Sequence, residues 1–306
     1  MIKSRYSALT RIKMDYDLYL MLLLPVMVII IFRYIPMIWT LIAFQDFNLF
    51  AGLFGSKWVG FDNFIRLFNS HDFLKIFRNT LLINLYRILW LFPMPILFAL
   101  LLNEVKNRLY KRVVQTIVYI PHFLSWVIVS GLFLILLKSD GIVNQLLESV
   151  GMDKVNFLIS SKWFRTINVI QGGWRDIGFA AIIYISAMAS VDPQIYEAAK
   201  IDGAGRIKQI WYVTLPGIAS TIVLMLLLRI ANITNSSALL EQILNMYNPA
   251  VYETADIIGT YVFRNGLGKM TYSYNAAMDM FSSIIGCTLI IIGNKVSAKL
   301  TGRSIW

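Results

Sequence analysis

The sequence predicts an all-α membrane protein. Of its 306 residues, 58% are hydrophobic and only 15% are charged, so one water-soluble core could not bury the apolar surface. A helix needs roughly 17 to 25 mostly apolar residues to cross the hydrocarbon layer. Six segments meet this requirement, and they predict spans at about 18–44, 80–102, 113–137, 166–190, 213–231 and 276–292.

The distribution of Lys and Arg predicts that both termini are cytoplasmic. The two tails, 1–17 and 293–306, and the second and fourth connections together carry 14 of these residues, against 10 in the longer other connections. Positive residues near span ends favour the cytoplasmic side. Because the net charge of +11 is spread over short loops, it forms no single basic face for nucleic acid.

The predicted cytoplasmic loop 191–212 contains a short helix. Asp192 followed by Pro193 is typical of a helix start, with the carboxylate capping free amides. Gly203 and Gly205 predict its end. The helix would have about two and a half turns, too few to be stable alone in water. Neighbouring segments or a partner protein must therefore hold it.

The same loop resembles a known signature. The order is Glu-Ala-Ala, three residues, Gly, nine residues, Val, one residue, Leu-Pro, from Glu197 to Pro216. It is similar to the EAA motif of ATP-binding cassette importer permeases of the binding-protein-dependent, sugar-uptake class, with Val213 in place of the usual Ile. Four further segments resemble the oligosaccharide and polysaccharide branch: KWVGFDNFIRLF, YIPHFLSWV, WRDIGFAAIIYISAM and NPAVYETADIIGTYVFRNGL.

This resemblance implies a type I importer permease fold with six spans in a bacterial cytoplasmic membrane. The expected partners are a second related permease, two cytoplasmic ATP-binding subunits, an extracytoplasmic substrate-binding protein and an oligosaccharide. The chain itself would catalyse nothing and bind no cofactor or metal, with ATP and magnesium held by the ATPase. The residues expected to couple to that ATPase are Glu197, Ala198, Ala199, Gly203, Leu215 and Pro216.

The sequence carries no glycine-rich phosphate loop of its own. The nearest string, from Gly266 to Met270, lacks the G-x-x-x-x-G-K-[ST] spacing. ATP hydrolysis is accordingly expected in a separate subunit.

Two asparagines form the first candidate for the substrate path. Asn232 and Asn235 are three apart, a spacing that puts them on one helical face at the outer end of the fifth span. In maltose-type permeases the corresponding helix carries two asparagines with this spacing that contact the sugar. The alternative is a helix end in which asparagine serves as a cap.

A second candidate set lies in the third and fourth spans. His122 and Trp126, four apart, are expected on one helical face, and the resemblance places Arg175, Asp176 and Phe179 beside the sugar. Aromatic faces and polar groups together suit carbohydrate. The two charges replace uncharged residues of the maltose pattern, which argues against a plain neutral disaccharide and leaves an acidic or amide-bearing glycan open. A capping histidine and an interfacial tryptophan are the alternatives.

Other charges lie within apolar runs, where each costs at least about 2.5 kcal/mol. Arg33, Arg87, Arg229 and Asp279 could each belong to an ion pair or contact substrate. The long connection 233–275 is expected to contact the binding protein in part and to form a re-entrant hairpin or short helix in part.

Two other classes of function are less consistent with the sequence. An intramembrane enzyme would need a catalytic set, and no H-E-x-x-H or G-x-S-x-G string occurs. A passive channel would have no use for an ATPase-coupling loop. A permease of the same class for a non-sugar solute stays open.

Overall fold

A computed structural model describes residues 14–234 and 236–301, with the backbone alone at 266–269, 300 and 301. The described chain is mostly helical. The α-helices are α1 Tyr16–Ile29, α2 Ile35–Met37, α3 Gly52–Gly55, α4 Asp62–Phe68, α5 His71–Leu91, α6 Pro93–Glu104, α7 Arg108–Tyr119, α8 Trp126–Leu137, α9 Ile142–Ser149, α10 Ser161–Ala189, α11 Pro193–Ile201, α12 Arg206–Gln209, α13 Leu215–Gly217, α14 Ala219–Ala231, α15 Ser237–Leu244, α16 Tyr252–Ala255, α17 Ile258–Lys269 and α18 Tyr272–Thr301. The described residues separate into two compact units, 14–67 with 271–280 and 68–270 with 281–301.

The first unit begins with a long apolar rod that runs from Tyr16 to Phe44. It consists of α1, a π turn at Ile30–Tyr34, α2 and a 3₁₀ turn at Ile38–Phe44. Neither α1 nor α2 buries a residue, and a helix that is apolar all round is typical of a membrane span. The π turn includes Phe32, which is four residues before Pro36. In a regular helix the proline ring would clash with the Phe32 carbonyl, and the wider turn relieves this clash.

The rod leads into a small antiparallel ladder. Strands β1 Gln45–Asp46 and β2 Lys57–Trp58 pair with Gln45 opposite Trp58. The Phe44 ring stacks on Trp58 with centroids 5.6 Å apart, and the Asn63 amide donates to the carbonyls of Ala43 and Gln45, both at 2.9 Å. These contacts close a hairpin, so the predicted all-α class is wrong at this one connection.

One hydrophobic core of the second unit lies between α6 and α10. Ile96, Ala99 and Leu100 of α6 pack with Ala181, Tyr184 and Met188 of α10 and with Ile218. Helix α7 also lies close to α10. The approach is so close that a Cβ on Gly178 of α10 would collide with the Val118 carbonyl of α7. Glycine therefore permits the approach of these two helices.

The third predicted span is not one continuous helix. Between α7 and α8 the chain forms a 3₁₀ turn at Ile120–Phe123, followed by extended Leu124 and Ser125. Pro121 lies in this turn and has no N–H for the helical ladder. The Ser125 hydroxyl then caps α8 by accepting from the Ile128 amide at 3.4 Å. The prediction of a regular helix over 113–137 is therefore wrong at its centre.

The fifth predicted span is broken too. Helices α12 and α13 are joined by a π turn at Ile210–Thr214, and the axis turns by 62° before α14. Pro216 and Gly217 lie at this break, where neither residue supports a regular helix. The bent segment brings Ile218 into the core, where its side chain is 1% exposed.

Helix boundaries also extend past the predicted spans. Helix α5 begins at His71, α10 at Ser161, and α18 continues to Thr301. The predicted C-terminal tail from 293 is thus helical as far as it is described, because helices run on into polar residues that a hydropathy criterion excludes. In the described chain, four helices are long and apolar enough to cross a membrane, or up to six if each of two bent pairs counts as one span.

The long connection after α14 is folded. It forms α15, α16, a 3₁₀ turn at Pro249–Val251 and α17. Leu239, Ile243 and Ala255 pack with Ile83 of α5 and Phe164 of α10. The Asn79 amide fixes this packing by donating to the Glu253 carbonyl at 2.8 Å and to the Asp256 carbonyl at 3.2 Å.

Candidate functional site

One cluster in the second unit contains the charged pair predicted for the substrate path. Asp176 accepts a hydrogen bond from the Arg175 guanidinium at 3.0 Å, and its carboxylate lies 3.0 Å from Nδ1 of His122. Arg175 also donates from Nε to the Leu124 carbonyl at 3.0 Å. The backbone at the break between α7 and α8 is thereby held against α10.

Aromatic rings complete this cluster. The imidazole of His122 stacks on Phe179 at 3.9 Å with an interplanar angle of 4°. The Arg175 guanidinium lies over the Trp126 ring, 4.4 Å from its centroid. All five residues predicted in the third and fourth spans therefore lie together, in an arrangement of ring faces and charges that suits a sugar.

The reason given for placing His122 and Trp126 together is nevertheless wrong. They do not share a helical face, because His122 lies in the 3₁₀ turn and Trp126 is the first residue of α8. They meet through Arg175, which contacts the peptide between them. Sequence spacing alone could not show this, since it assumes an unbroken helix.

A cavity of about 370 Å³ lies among α5, α6, α10 and α14. Its polar lining residues are Asn84, Arg87, Tyr184, Arg229, Asn232 and Ser236. Asp176 lies one helical turn before the cavity residue Ala180 on α10. The cavity and the His122–Asp176 cluster therefore lie along the same helix.

Asn232 is in the cavity wall, and it is also a cap. Helix α14 ends at Ala231, and the Asn232 amide donates to the Leu228 carbonyl at 2.9 Å. Both the predicted sugar contact and its alternative, a helix cap, are thus compatible with its position. Asn235, the second asparagine of the prediction, lies outside the described residues.

A buried polar network holds one wall of the cavity, and the sequence interpretation missed it. Gln242 of α15 donates to the Asn168 carbonyl at 2.8 Å and to Oε1 of Gln171 at 2.9 Å. Arg87 donates from Nη1 to Oδ1 of Asn168 at 3.2 Å and to Oε1 of Gln242. Gln171 in turn donates to the Ser130 hydroxyl at 3.0 Å. The network fixes α15 and Arg87 against α10.

A sequence signal for this network does exist. Buried residues of α15 recur as Leu239, Gln242 and Ile243, and those of α10 as Ile167, Asn168 and Gln171. In both helices a polar residue occupies the stripe that faces other helices. Amides in such a stripe need buried partners, which would have indicated an internal network.

A second polar cluster lies in the folded outer connection. Arg264 donates to Asp256 at 2.8 Å and to the Tyr247 hydroxyl at 2.6 Å, and the rings of Tyr247 and Tyr252 stack. Burial and the hydrogen bond to Asp256 raise the pKa of the Tyr247 phenol well above its usual value. Although burial opposes it, Asp256 also raises the pKa of Arg264. This connection is therefore locally ordered around a charged pair.

The short helix predicted between Asp192 and Gly203 is confirmed as α11, which spans Pro193–Ile201. The Gln194 amide donates to the Asp192 carboxylate at 2.9 Å, and Pro193 is the first helical residue. Gly203 ends the helix in a left-handed conformation with φ of +75°, and the Ala204 amide closes the end on the Ala199 carbonyl at 2.9 Å. This geometry is the reason for glycine at the motif position.

Helix α11 is tied to the segment that follows it. The Tyr196 hydroxyl shares a hydrogen bond of 3.0 Å with Thr214, and the Gln209 amide donates to the Ala204 carbonyl at 2.7 Å. Helix α10 leads into α11, and the axes of the two helices differ by 72°. A displacement of α11 would therefore be transmitted to α10, which carries the Asp176 cluster.

The surface around α11 is apolar and open. Large apolar side chains there are at least half exposed: Ile195, Ile201, Ile207, Trp211 and Tyr212. Glu197 and Ala198 are exposed as well. A contiguous apolar surface beside a polar helix is typical of a protein-binding site.

Long apolar helices, a polar cavity among four helices of the second unit and a short exposed helix next to a bend are typical of a helical membrane transport subunit. The family model described as a binding-protein-dependent transport system inner membrane component matches residues 91–298. The chain belongs to this family, and the family predicted from the EAA-like loop is confirmed.

Two relatives and one solved structure match nearly the whole chain. YteP of Bacillus subtilis (strain 168), a polygalacturonan/rhamnogalacturonan transport system permease protein, is 42% identical over 99% of this chain and 94% of its own. LplB of the same organism is 40% identical over 98% and 94%. A chain in the crystal structure of a bacterial alginate ABC transporter, complexed with alginate pentasaccharide-bound periplasmic protein, superposes with a TM-score of 0.88 at 38% identity, covering 97% of this chain and 99% of that chain.

Proposed function

We propose that this chain is a permease subunit of an ATP-driven, binding-protein-dependent importer that moves an oligosaccharide across a bacterial cytoplasmic membrane. The observation that carries the proposal is the match over nearly the full chain to permeases named for polysaccharide transport. A receptor outside the membrane delivers the glycan. This chain and a second, related permease enclose the path by alternating access.

Coupling to ATP hydrolysis is assigned to α11. Its exposed apolar surroundings suit a groove on a cytoplasmic ATPase subunit, where ATP and magnesium are bound. Ala198 and Ala199 permit close approach, and Glu197 offers a charge to a basic partner. When ATP closes the two ATPase subunits, α11 moves, and the attached α10 moves the Asp176 cluster with it. The chain itself catalyses no covalent step.

Two contacts between connections agree with the sides predicted for those connections in a six-span chain with both termini inside. Two predicted cytoplasmic connections meet at one end of the second unit, where Arg206 lies 3.9 Å from Glu104. Two predicted outer connections meet where Thr254 donates to the Ser161 carbonyl at 2.9 Å. Each contact joins segments that the Lys and Arg distribution assigns to the same side of the membrane.

The aromatic and charged cluster suits part of the sugar path. Phe179 is 39% exposed and offers a stacking surface, and His122, Arg175 and Asp176 offer polar groups to hydroxyls. Trp126 is 2% exposed and lies under the Arg175 guanidinium, so it supports Arg175 and does not itself stack on the sugar. Asn232 provides an amide in the cavity. The residues thus supply the two kinds of contact that carbohydrates require.

The test is reconstitution of this chain in liposomes with its partner permease, both ATPases and the receptor. Uptake and ATPase stimulation are measured for neutral, acidic and acetamido oligosaccharides. We expect at least one class to stimulate hydrolysis and to accumulate inside. If no oligosaccharide does so while a different solute does, the chain is a permease of the same class for that solute, and the proposal fails.

A further inference from the structure

Two arginines face the cavity among α5, α6, α10 and α14. Arg87 comes from α5 and Arg229 from α14, and no Asp or Glu is among the described residues that line the cavity. The cavity volume of about 370 Å³ falls in the range of small-molecule pockets, roughly 300–1,000 Å³. Two positive charges therefore meet an opening large enough for part of a ligand.

Neither arginine forms a direct ion pair within the described part of the chain, although both lie in the electrostatic field of Asp176. The ion pairs found there include neither Arg87 nor Arg229. On the same helical face of α10, Asp176 is already engaged by Arg175 and His122. A charge within a membrane span is costly unless a partner compensates it. An anionic ligand would supply that partner.

Arg87 is held in place before any ligand arrives. Its Nη1 donates to the neutral amides of Asn168 and Gln242, which orient the guanidinium without cancelling its charge. Gly172 leaves the room it needs, since a Cβ there would lie 3.2 Å from that nitrogen. A preorganised guanidinium loses little entropy when it binds a carboxylate.

Arg229 and the other polar groups complete the site. Within the described part of the chain the Arg229 side chain forms no ion pair, and Arg229 lines the cavity. Tyr184, Asn232 and Ser236 line the same cavity. Guanidinium donors bind carboxylates in a bidentate manner, while hydroxyl and amide groups suit the remaining sugar oxygens.

We propose that Arg87 and Arg229 bind the carboxylates of an acidic, uronate-containing oligosaccharide as it passes through the cavity. This inference rests on the proposed import function and specifies its substrate class. The names of one relative and of the solved structure mention polygalacturonan and alginate. Both polymers consist of uronic acids, so each sugar unit carries a carboxylate. Successive units can then be passed through one positively charged position.

The test compares variants of Arg229 in the reconstituted complex, with trigalacturonate as the probe. Arg229→Gln removes the charge, and Arg229→Lys retains it. Lys75→Gln is the matched control, because it removes one positive charge from an exposed position on α5 outside the cavity. Uptake is measured against the concentration of loaded receptor, and receptor-stimulated ATPase activity is measured in parallel.

We expect Arg229→Gln to reduce trigalacturonate uptake at subsaturating concentration by roughly ten- to hundredfold, and to reduce ATPase stimulation less. Arg229→Lys should recover part of the loss, because an ammonium keeps the charge but not the bidentate geometry, and Lys75→Gln should match the unaltered complex. Equal uptake by Arg229→Gln, failure of that variant to assemble, or preference of the unaltered complex for carboxyl-reduced trisaccharide would overturn the inference. Absence of uptake and ATPase stimulation with every oligosaccharide in the unaltered complex would instead remove the proposed function.

Discussion

Asn232 is the residue at which a structural role and a candidate substrate contact coincide. Its amide donates to the Leu228 carbonyl, and its side chain lines the cavity. Asn245 has the same structural role at the end of α15, where its amide donates to the Glu241 carbonyl at 2.7 Å, but it is not among the residues that line the cavity. The two asparagines therefore form a matched pair.

Substitution of each by leucine separates the two roles. We expect Asn232→Leu to lower oligosaccharide uptake by roughly two- to tenfold, the value of one hydrogen bond, while Asn245→Leu has a much smaller effect. Initial uptake rates in proteoliposomes, normalised to assembled complex, provide the measurement. Equal losses in the two variants would show that capping alone explains the effect, and Asn232 would leave the candidate site.

At the scale of single residues, the sequence predicted which side chains belong to the candidate site better than it predicted the contacts among them. Arg175 and Asp176 stand out as charges within an apolar run, where such residues are costly, and the resemblance to maltose-type permeases added His122. Their mutual geometry depends on the break after Pro121, whose extent no spacing rule predicts. Gln242 was missed because the sequence interpretation left the fold of the connection 233–275 open and did not use the spacing of Gln242 with Leu239 and Ile243.

At the scale of elements, the turn at the end of α11 is the most constrained feature. Gly203 has φ of +75°, while Gly205, two residues later, has φ of −66°. No atom would crowd a Cβ at either position. The two glycines therefore differ in backbone conformation and not in available space.

We expect Gly203→Val to strain this turn by about 1–2 kcal/mol, because a β-branched residue disfavours the left-handed region. Receptor-stimulated ATPase activity and uptake should both fall, with membrane insertion unchanged. Gly205→Val serves as the control and should retain most of both activities. Normal coupled uptake in Gly203→Val would mean that the shape of the turn does not matter for coupling.

Short elements with strong local signals were predicted well, whereas the long spans were predicted in approximate position but without their breaks or their ends. The cap at Asp192, the proline after it and the glycine at 203 are local choices that act within a few residues. The start of α5 at His71 and the continuation of α18 beyond residue 292 depend on polar residues that tolerate a helix. The β1–β2 ladder arises from aromatic contacts around Phe44, which have no short-range pattern.

At the scale of the whole molecule, the account depends on α11 facing a cytoplasmic ATPase. The sequence predicted the side of each connection from its charges, and the contacts of Glu104 with Arg206 and of Ser161 with Thr254 pair connections of the same side. The identity of the partner lies outside the chain, since an exposed apolar surface specifies contact but not which protein provides it.

The most direct test is site-directed crosslinking in the assembled transporter. Cys287 is the only cysteine, so a Cys287→Ser background permits single cysteines at Ala198 on α11 and at Lys154 on the predicted outer connection, both exposed. We predict that Ala198→Cys forms an adduct with the ATPase subunit and resists a membrane-impermeant maleimide added outside, while Lys154→Cys reacts with it. Labelling of Ala198→Cys from outside, or the absence of an ATPase adduct, would contradict the account.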